Sequence, residues 1–268
     1  MHRSLILILA CIIVAPLIAC AADDKNVMPL AVGNKWEYSV TEIGVTSIGE
    51  GENSRSMQTE SDGICVEDVV SEKERRPNGD VVYKHRSTTN MEAGLHTEAN
   101  ELTVESYLMA SKDGISVIAS RVLGLDELLS TKWVEYNPPL MLFGTGISPG
   151  KKWQVGTVKE DKLRMPMTAQ VAGYETVTVP AGTFKDCLKI YVTCGNVKGS
   201  TGSGKDKATI KSGSSLSTVW VFPSIGVVKE SSIVQMKMEF LPDEHGPAAL
   251  MTGTQRKTKE LLPGYKVN

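Results

Sequence analysis

From Trp36 onward the sequence runs in a period of two. Trp36, Tyr38 and Val40 alternate with Glu37 and Ser39, and Leu188, Ile190, Val192 and Cys194 alternate with Lys189, Tyr191 and Thr193. Successive side chains of a strand point to opposite faces, so this is the pattern of sheets that bury one face. Further stretches of the kind cover 63–70, 80–87, 102–111, 114–120, 152–158, 165–179, 184–194, 217–222 and 226–241. Gly, Pro, Asn and Asp bound them, and Pro77-Asn78-Gly79-Asp80 and Lys112-Asp113-Gly114 read as hairpin turns. Residues 125–133 depart from the pattern, with Leu125, Leu128, Leu129 and Lys132 spaced for one face of a short helix. A mainly β, antiparallel chain with one short helix is expected.

Two polar stretches interrupt this text. Residues 46–62, rich in Ser, Glu and Gly, read as a mobile loop or a solvated hairpin. Residues 196–217, rich in Gly, Ser and Lys, read as a long flexible excursion from the sheet. Gly33-Asn34-Lys35-Trp36 is echoed by Gly150-Lys151-Lys152-Trp153. We read the echo as a recurring strand-opening turn and keep 30–268 as one β domain.

The start of the chain is of another character. MHRSLILILACIIVAPLIAC has a basic start and an apolar run from Leu5 to Ile18. That run is shorter than the roughly 20 residues of a bilayer span and suits a signal peptide over 1–19. Leu17-Ile18-Ala19-Cys20 resembles the lipobox of bacterial lipoproteins. The resemblance implies cleavage before Cys20, a diacylglycerol on its thiol and a further acyl chain, such as palmitate, on its amine. Each buried methylene contributes about 0.8 kcal/mol, so several chains hold a protein on a membrane. Residues 20–29 then form a lipidated tether; the same resemblance implies that Ala21, standing where an Asp would favour retention at the inner membrane, points to the outer membrane or cell surface in a host with two membranes. Cleavage before Ala22 by ordinary signal peptidase and an uncleaved anchor are the alternatives; Pro16 and the short run argue against the second.

Charge and motifs exclude other classes. A net charge of -2 supplies no basic field, so no nucleic-acid partner is expected. Gly199 to Lys205 fits G-x-x-x-x-G-K, but Asp206 stands where a magnesium-binding hydroxyl belongs, so no nucleotide is expected. No G-x-S-x-G or H-E-x-x-H motif occurs, and His85, His96 and His245 are dispersed. We expect no catalytic residue, metal or cofactor, and a chain that is not an enzyme; a secreted hydrolase with an unrecognised site is the alternative.

Cys65, Cys187 and Cys194 remain after the signal. In one strand Cys187 and Cys194 point to opposite faces about 23 Å apart and cannot bond. Cys65 with Cys194 is the preferred disulfide; three separate buried thiols are the alternative. The tryptophans, Phe184 and Phe222 read as core. Alternatively Trp36, Trp153, Trp220 and Phe222 line a concave apolar pocket.

Three segments resemble uncharacterised exported bacterial proteins labelled TapB-like: Pro29 to Tyr38, Glu175 to Ile190 (ETVTVPAGTFKDCLKI) and Trp220 to Glu230. The resemblance implies an antiparallel sheet curled into a partial, half-open β-barrel similar to periplasmic lipoprotein carriers, and brings no known activity or catalytic residues. The expected role is a bacterial envelope lipoprotein acting as a non-catalytic binding or assembly module with a protein or lipid partner. A carrier of an apolar ligand is the alternative.

Overall fold

The computed structural model describes residues 28–49, 54–92, 100–123, 132–160, 162–201, 208–240 and 249–268. Its strands are β1 (Lys35–Ile48), β2 (Arg55–Arg75), β3 (Val81–Met91), β4 (Asn100–Ser111), β5 (Gly114–Leu123), β6 (Val134–Gly144) and β7 (Lys152–Glu160). They continue with β8 (Leu163–Val179), β9 (Gly182–Cys194), β10 (Gly199–Thr201), β11 (Ala208–Phe222), β12 (Gly226–Phe240) and β13 (Ala249–Leu261). All belong to one antiparallel sheet in the order β6-β5-β4-β3-β2-β1-β13-β12-β11-β9-β8-β7, with β10 beside β11. The sheet curls into a nearly closed barrel with one seam, between β6 and β7, so the mainly β, barrel-like expectation holds.

The order shows how the barrel is assembled. β1 to β6 form one six-stranded meander, and β7, β8, β9, β11, β12 and β13 form a second laid down in the same order. β1 joins the halves by pairing with β13 over Tyr38↔Leu261 to Ile48↔Met251. The Gly-x-Lys-Trp echo falls on the first strand of each half, and its geometry recurs. Gly33 and Gly150 have φ of +88° and +85°, a region that favours glycine. The Gly33 N–H donates to Val69 O and the Val69 N–H to Asn34 O; Gly150 donates to Val171 O and Val171 to Lys151 O. The recurring turn thus marks topologically equivalent positions in a two-half barrel.

The seam is closed by side chains. Trp153 Nε1 donates to Met141 O at 3.1 Å, and a Cβ on Gly156 would come within 2.7 Å of Leu140 Cδ2. Pro138 and Pro139 in β6 carry no N–H, which limits what that edge can offer a partner strand.

The two ends of the barrel differ. Connections 76–80, 112–113, 145–151, 180–181 and 223–225 lie at one end, the turn end, with both termini of the described body; the strand ends at Ile48, Arg55, Met91, Asn100, Leu123, Val134, Cys194, Phe240 and Ala249 lie at the other, the loop end. The termini are tied together. Asn34 donates from Nδ2 to Pro29 O and accepts the Asn268 N–H at 2.8 Å, and Lys35 and Lys266 exchange backbone hydrogen bonds.

Several expectations are corrected. Of the two readings of 46–62, the described part fits the hairpin and not the loop, β1 reaching Ile48 and β2 starting at Arg55. The stretch 196–217 is in its described part largely strand: β10 and the first half of β11 extend the sheet, because Ala208 and Ile210 alternate inward among the Ser and Gly residues. β6 and β13 carry no strand expectation. The expected helix lies mostly outside the described residues, and its described end, Lys132 and Trp133, is not helical. No helix occurs among the described residues.

The cysteine pairing is corrected as well. Cys65 on β2 lies opposite Tyr38 and Thr89, and Cys194 on β9 lies opposite Met167 and Ser215. Four strands separate them around the wall, and Cys65, Cys187 and Cys194 are free, buried thiols. Cys187 is buried and donates from Sγ to Phe184 O at 3.5 Å.

Candidate functional site

The interior is divided in character. β8, β9 and β11 turn Met165, Met167, Leu188, Ile190, Val219 and Val221 inward, each 3% exposed or less. Opposite them, β1, β2, β3, β12 and β13 turn charged and polar groups inward. Residues facing each other across an antiparallel pair share a face. The register therefore puts Glu67 beside Trp36, Lys259 beside Val40 and Glu230, and His85 beside Val69 and Ser106.

Lys259 is the centre of this cluster. Its ammonium bonds Glu67 Oε1 and lies 4.1 Å from the centroid of the Tyr38 ring. Glu67 is 1% and Lys259 5% exposed. The Tyr38 hydroxyl donates to Val227 O at 3.2 Å, and Cys65 Sγ lies 3.3 Å from Ser87 Oγ and 3.9 Å from Glu67 Oε1. Trp36 lies across from Glu67 at the turn end and donates from Nε1 to Ile225 O at 2.6 Å. Desolvating two charges costs several kcal/mol each, so such a pair persists only where contacts of this kind satisfy it.

Burial and charge set the protonation states. Burial disfavours charge on Lys259, but Glu67 and its neighbours outweigh that and raise its pKa, so the ammonium persists. Burial raises Tyr38, with Glu67 adding to it. Burial lowers His85, so the imidazole is neutral; both ring nitrogens are buried and unpartnered. Gln255, also turned inward, has a buried Oε1 without a partner. Burial raises Cys187 and Cys194 to about 11, away from thiolate reactivity. Among the described residues no group of three or more His, Cys, Asp or Glu could hold a metal.

The residues expected to line an apolar pocket do not come together. Trp36 is core. Trp153 bridges the seam. Trp220 Nε1 donates to Glu175 Oε2 at 2.9 Å beside Lys189, and Phe222 packs on Phe184 with centroids 5.3 Å apart. Alternation explains the dispersal, since Trp220 faces away from its inward neighbours Val219 and Val221. An open groove of about 730 Å³ lies on the outer face of β7, β8, β9 and β11, where Gln154, Gln170, Tyr191 and Leu216 line it with Trp153. Cys20 lies outside the described residues.

Sequence reading missed Glu67, His85, Glu230 and Lys259. The available signal was positional and weak: each shares the inward phase of its strand with buried apolar residues, as Lys259 does two residues before Leu261.

No family model and no curated protein matches the chain. Among solved structures, a candidate lipoprotein from Parabacteroides distasonis aligns at 13% identity and a TM-score of 0.32, covering 92% of this chain and 99% of its own. A candidate exported protein with YmcC-like fold from Bacteroides fragilis aligns at 12% identity and a TM-score of 0.28, covering 92% and 98%. Scores of that size transfer neither fold nor role.

Proposed function

We propose that the chain is a lipid-anchored protein of the bacterial envelope that acts as a binding or assembly module. It stands on the membrane by its turn end. The observation that carries this reading is the meeting of both termini at that end, tied through Asn34, with Cys20 only eight positions before Met28. At roughly 3.3 to 3.6 Å per residue an extended tether of that length reaches about 26 to 29 Å. Acyl chains on Cys20 therefore hold the turn end toward the lipid and leave the loop end facing away.

Binding is favoured over catalysis by the state of the interior groups. Lys259 is held protonated against Glu67, the two thiols of β9 are pushed up, and the Glu67–Lys259 pair has almost no exposed surface. The apolar half of the interior is filled by its own side chains, and the groove beside Trp153 opens on the outer face, so nothing described favours an apolar carrier.

Fractionation tests the reading. Wild type is expected in the membrane fraction and Cys20→Ser in the soluble fraction with the same fold. Equal membrane association of both proteins would overturn it.

A further inference from the structure

We propose that the outer groove across β7, β8, β9 and β11 binds a neutral carbohydrate chain, which names a ligand for the binding module proposed above and rests on that reading. Two rungs of the sheet build the groove. Strand register sets Gln154, Thr168, Thr193 and Leu216 side by side on one rung, and Lys152, Gln170 and Tyr191 on the next. On the first rung two short side chains stand between two long ones. The Thr168 and Thr193 hydroxyls, 2.8 Å apart, form the floor, and Gln154 and Leu216 form the walls. Register shifts at Gln154/Gly156 and Val171/Gly173 interrupt the ladders beside this floor. A bulge bends its strand, so the outward wall of a barrel can carry a concavity here.

The chemistry of the lining selects the ligand. Tyr191 is 36% and Leu216 40% exposed, so a flat ring and an aliphatic side chain already face water. Beside them lie two amides and two hydroxyls, groups that both donate and accept. Among the described residues of the lining the single charge is Lys152, on β7, and none is a carboxylate. A cation therefore finds no carboxylate to pair with, and a purely apolar ligand would strip water from the amides and hydroxyls without replacing it. An extended peptide binds chiefly through main-chain hydrogen bonds at an open sheet edge. β8 and β9 are each paired on both sides, so this face offers them side chains alone. A sugar ring carries hydroxyls around its rim and C–H groups over its faces. The rim suits the amides and hydroxyls, and the C–H face suits the negative π face of Tyr191.

Tyr191 also has a fixed neighbour. Lys189 lies 5.9 Å from its ring centroid and bonds Glu175 at 2.8 Å, and Glu175 accepts from Trp220 Nε1. A ring that is already ordered gives up less freedom when a ligand arrives.

The groove lies on the barrel wall and does not involve Cys20, so the two readings fail separately: Cys20→Ser should bind like wild type. The test is binding of the full chain, in neutral detergent, to an array of neutral, acidic and amino-bearing oligosaccharides that also carries phospholipids and unstructured peptides. Each hit is then titrated calorimetrically as the free compound. Saturable binding of a neutral oligosaccharide is expected, tightening with chain length. Tyr191→Ala and Gln170→Ala should each weaken it about tenfold, whereas Tyr191→Phe keeps the ring and should bind nearly as wild type. All three changes lie on the outer face, and unchanged urea midpoints would show that the fold is kept. Binding of no array member, binding confined to charged sugars, phospholipids or peptides, or equal affinity in wild type and Tyr191→Ala would each overturn the proposal.

Discussion

Lys259 on β13 reaches past β1 to bond Glu67 on β2, a side chain 192 positions earlier in the chain. The bond spans the junction of the two meanders and stands over the Tyr38 ring. Among the described residues the halves are joined by the backbone ladder of β1 and β13, and this ion pair lies across it.

Removing one partner leaves the other charged and buried. Lys259→Met or Glu67→Leu is expected to destabilise the fold by about 3 to 5 kcal/mol. The double variant Lys259→Met/Glu67→Leu should recover most of that loss, since apolar replacement of a buried pair is often near neutral. Urea unfolding of the four proteins checks this. Additive losses in the double variant would contradict the coupling.

His85 makes stability depend on pH. Burial lowers its folded pKa, while the unfolded imidazole titrates near 6.5. The unfolded chain thus binds more protons below that value, and stability present above pH 6.5 is lost as pH falls below it. Glu67, Lys259 and Asp68 also act on this ring, and Glu230, raised by burial, pulls with the opposite sign. Comparison with His85→Gln cancels those contributions. The stability of wild type relative to the variant should fall between pH 7.5 and 5.5; a constant difference would refute the assignment.

The seam is the weaker of the two closures, because β6 and β7 meet through side chains where β1 and β13 share a backbone ladder. Trp153→Phe removes the donor to Met141 O and is expected to cost about 1 kcal/mol. Amide exchange should accelerate in β6 and β7 and stay unchanged in β1 and β13. Uniform acceleration over the whole sheet would argue against a localised seam.

The cysteines give a chemical test. All three described thiols are buried, and Cys187 and Cys194 are pushed up to about 11. Native protein should resist alkylation at pH 7.5, and unfolded, unreduced mature protein should titrate three thiols, with Cys20 blocked by lipid. Recovery of a Cys65–Cys194 cross-linked peptide would contradict the separation of β2 and β9.

Strands were legible wherever inward positions are apolar, as in β1, β8 and β9. β13 escaped because its inward phase passes through Gln255, Lys257 and Lys259, so a strand with one face turned to the interior imitates a solvated one. β6 escaped because Asn137-Pro138-Pro139 interrupts the run before Leu140 and Leu142 resume it. The polar cluster was illegible for a related reason. Glu67 comes from β2 and Glu230 and Lys259 from β12 and β13, and only the pairing of both regions with β1 brings the Lys259 ammonium to Glu67. The Gly-x-Lys-Trp echo was visible as letters, but its meaning depended on the strand order.

The central claim is the lipid anchor below the turn end. Mass spectrometry of the N-terminal peptide from the membrane-purified protein tests it most directly. The account predicts a chain beginning at Cys20 with acyl mass on that residue; an unmodified N-terminus at Ala22, or retention of residues 1–19, would contradict it.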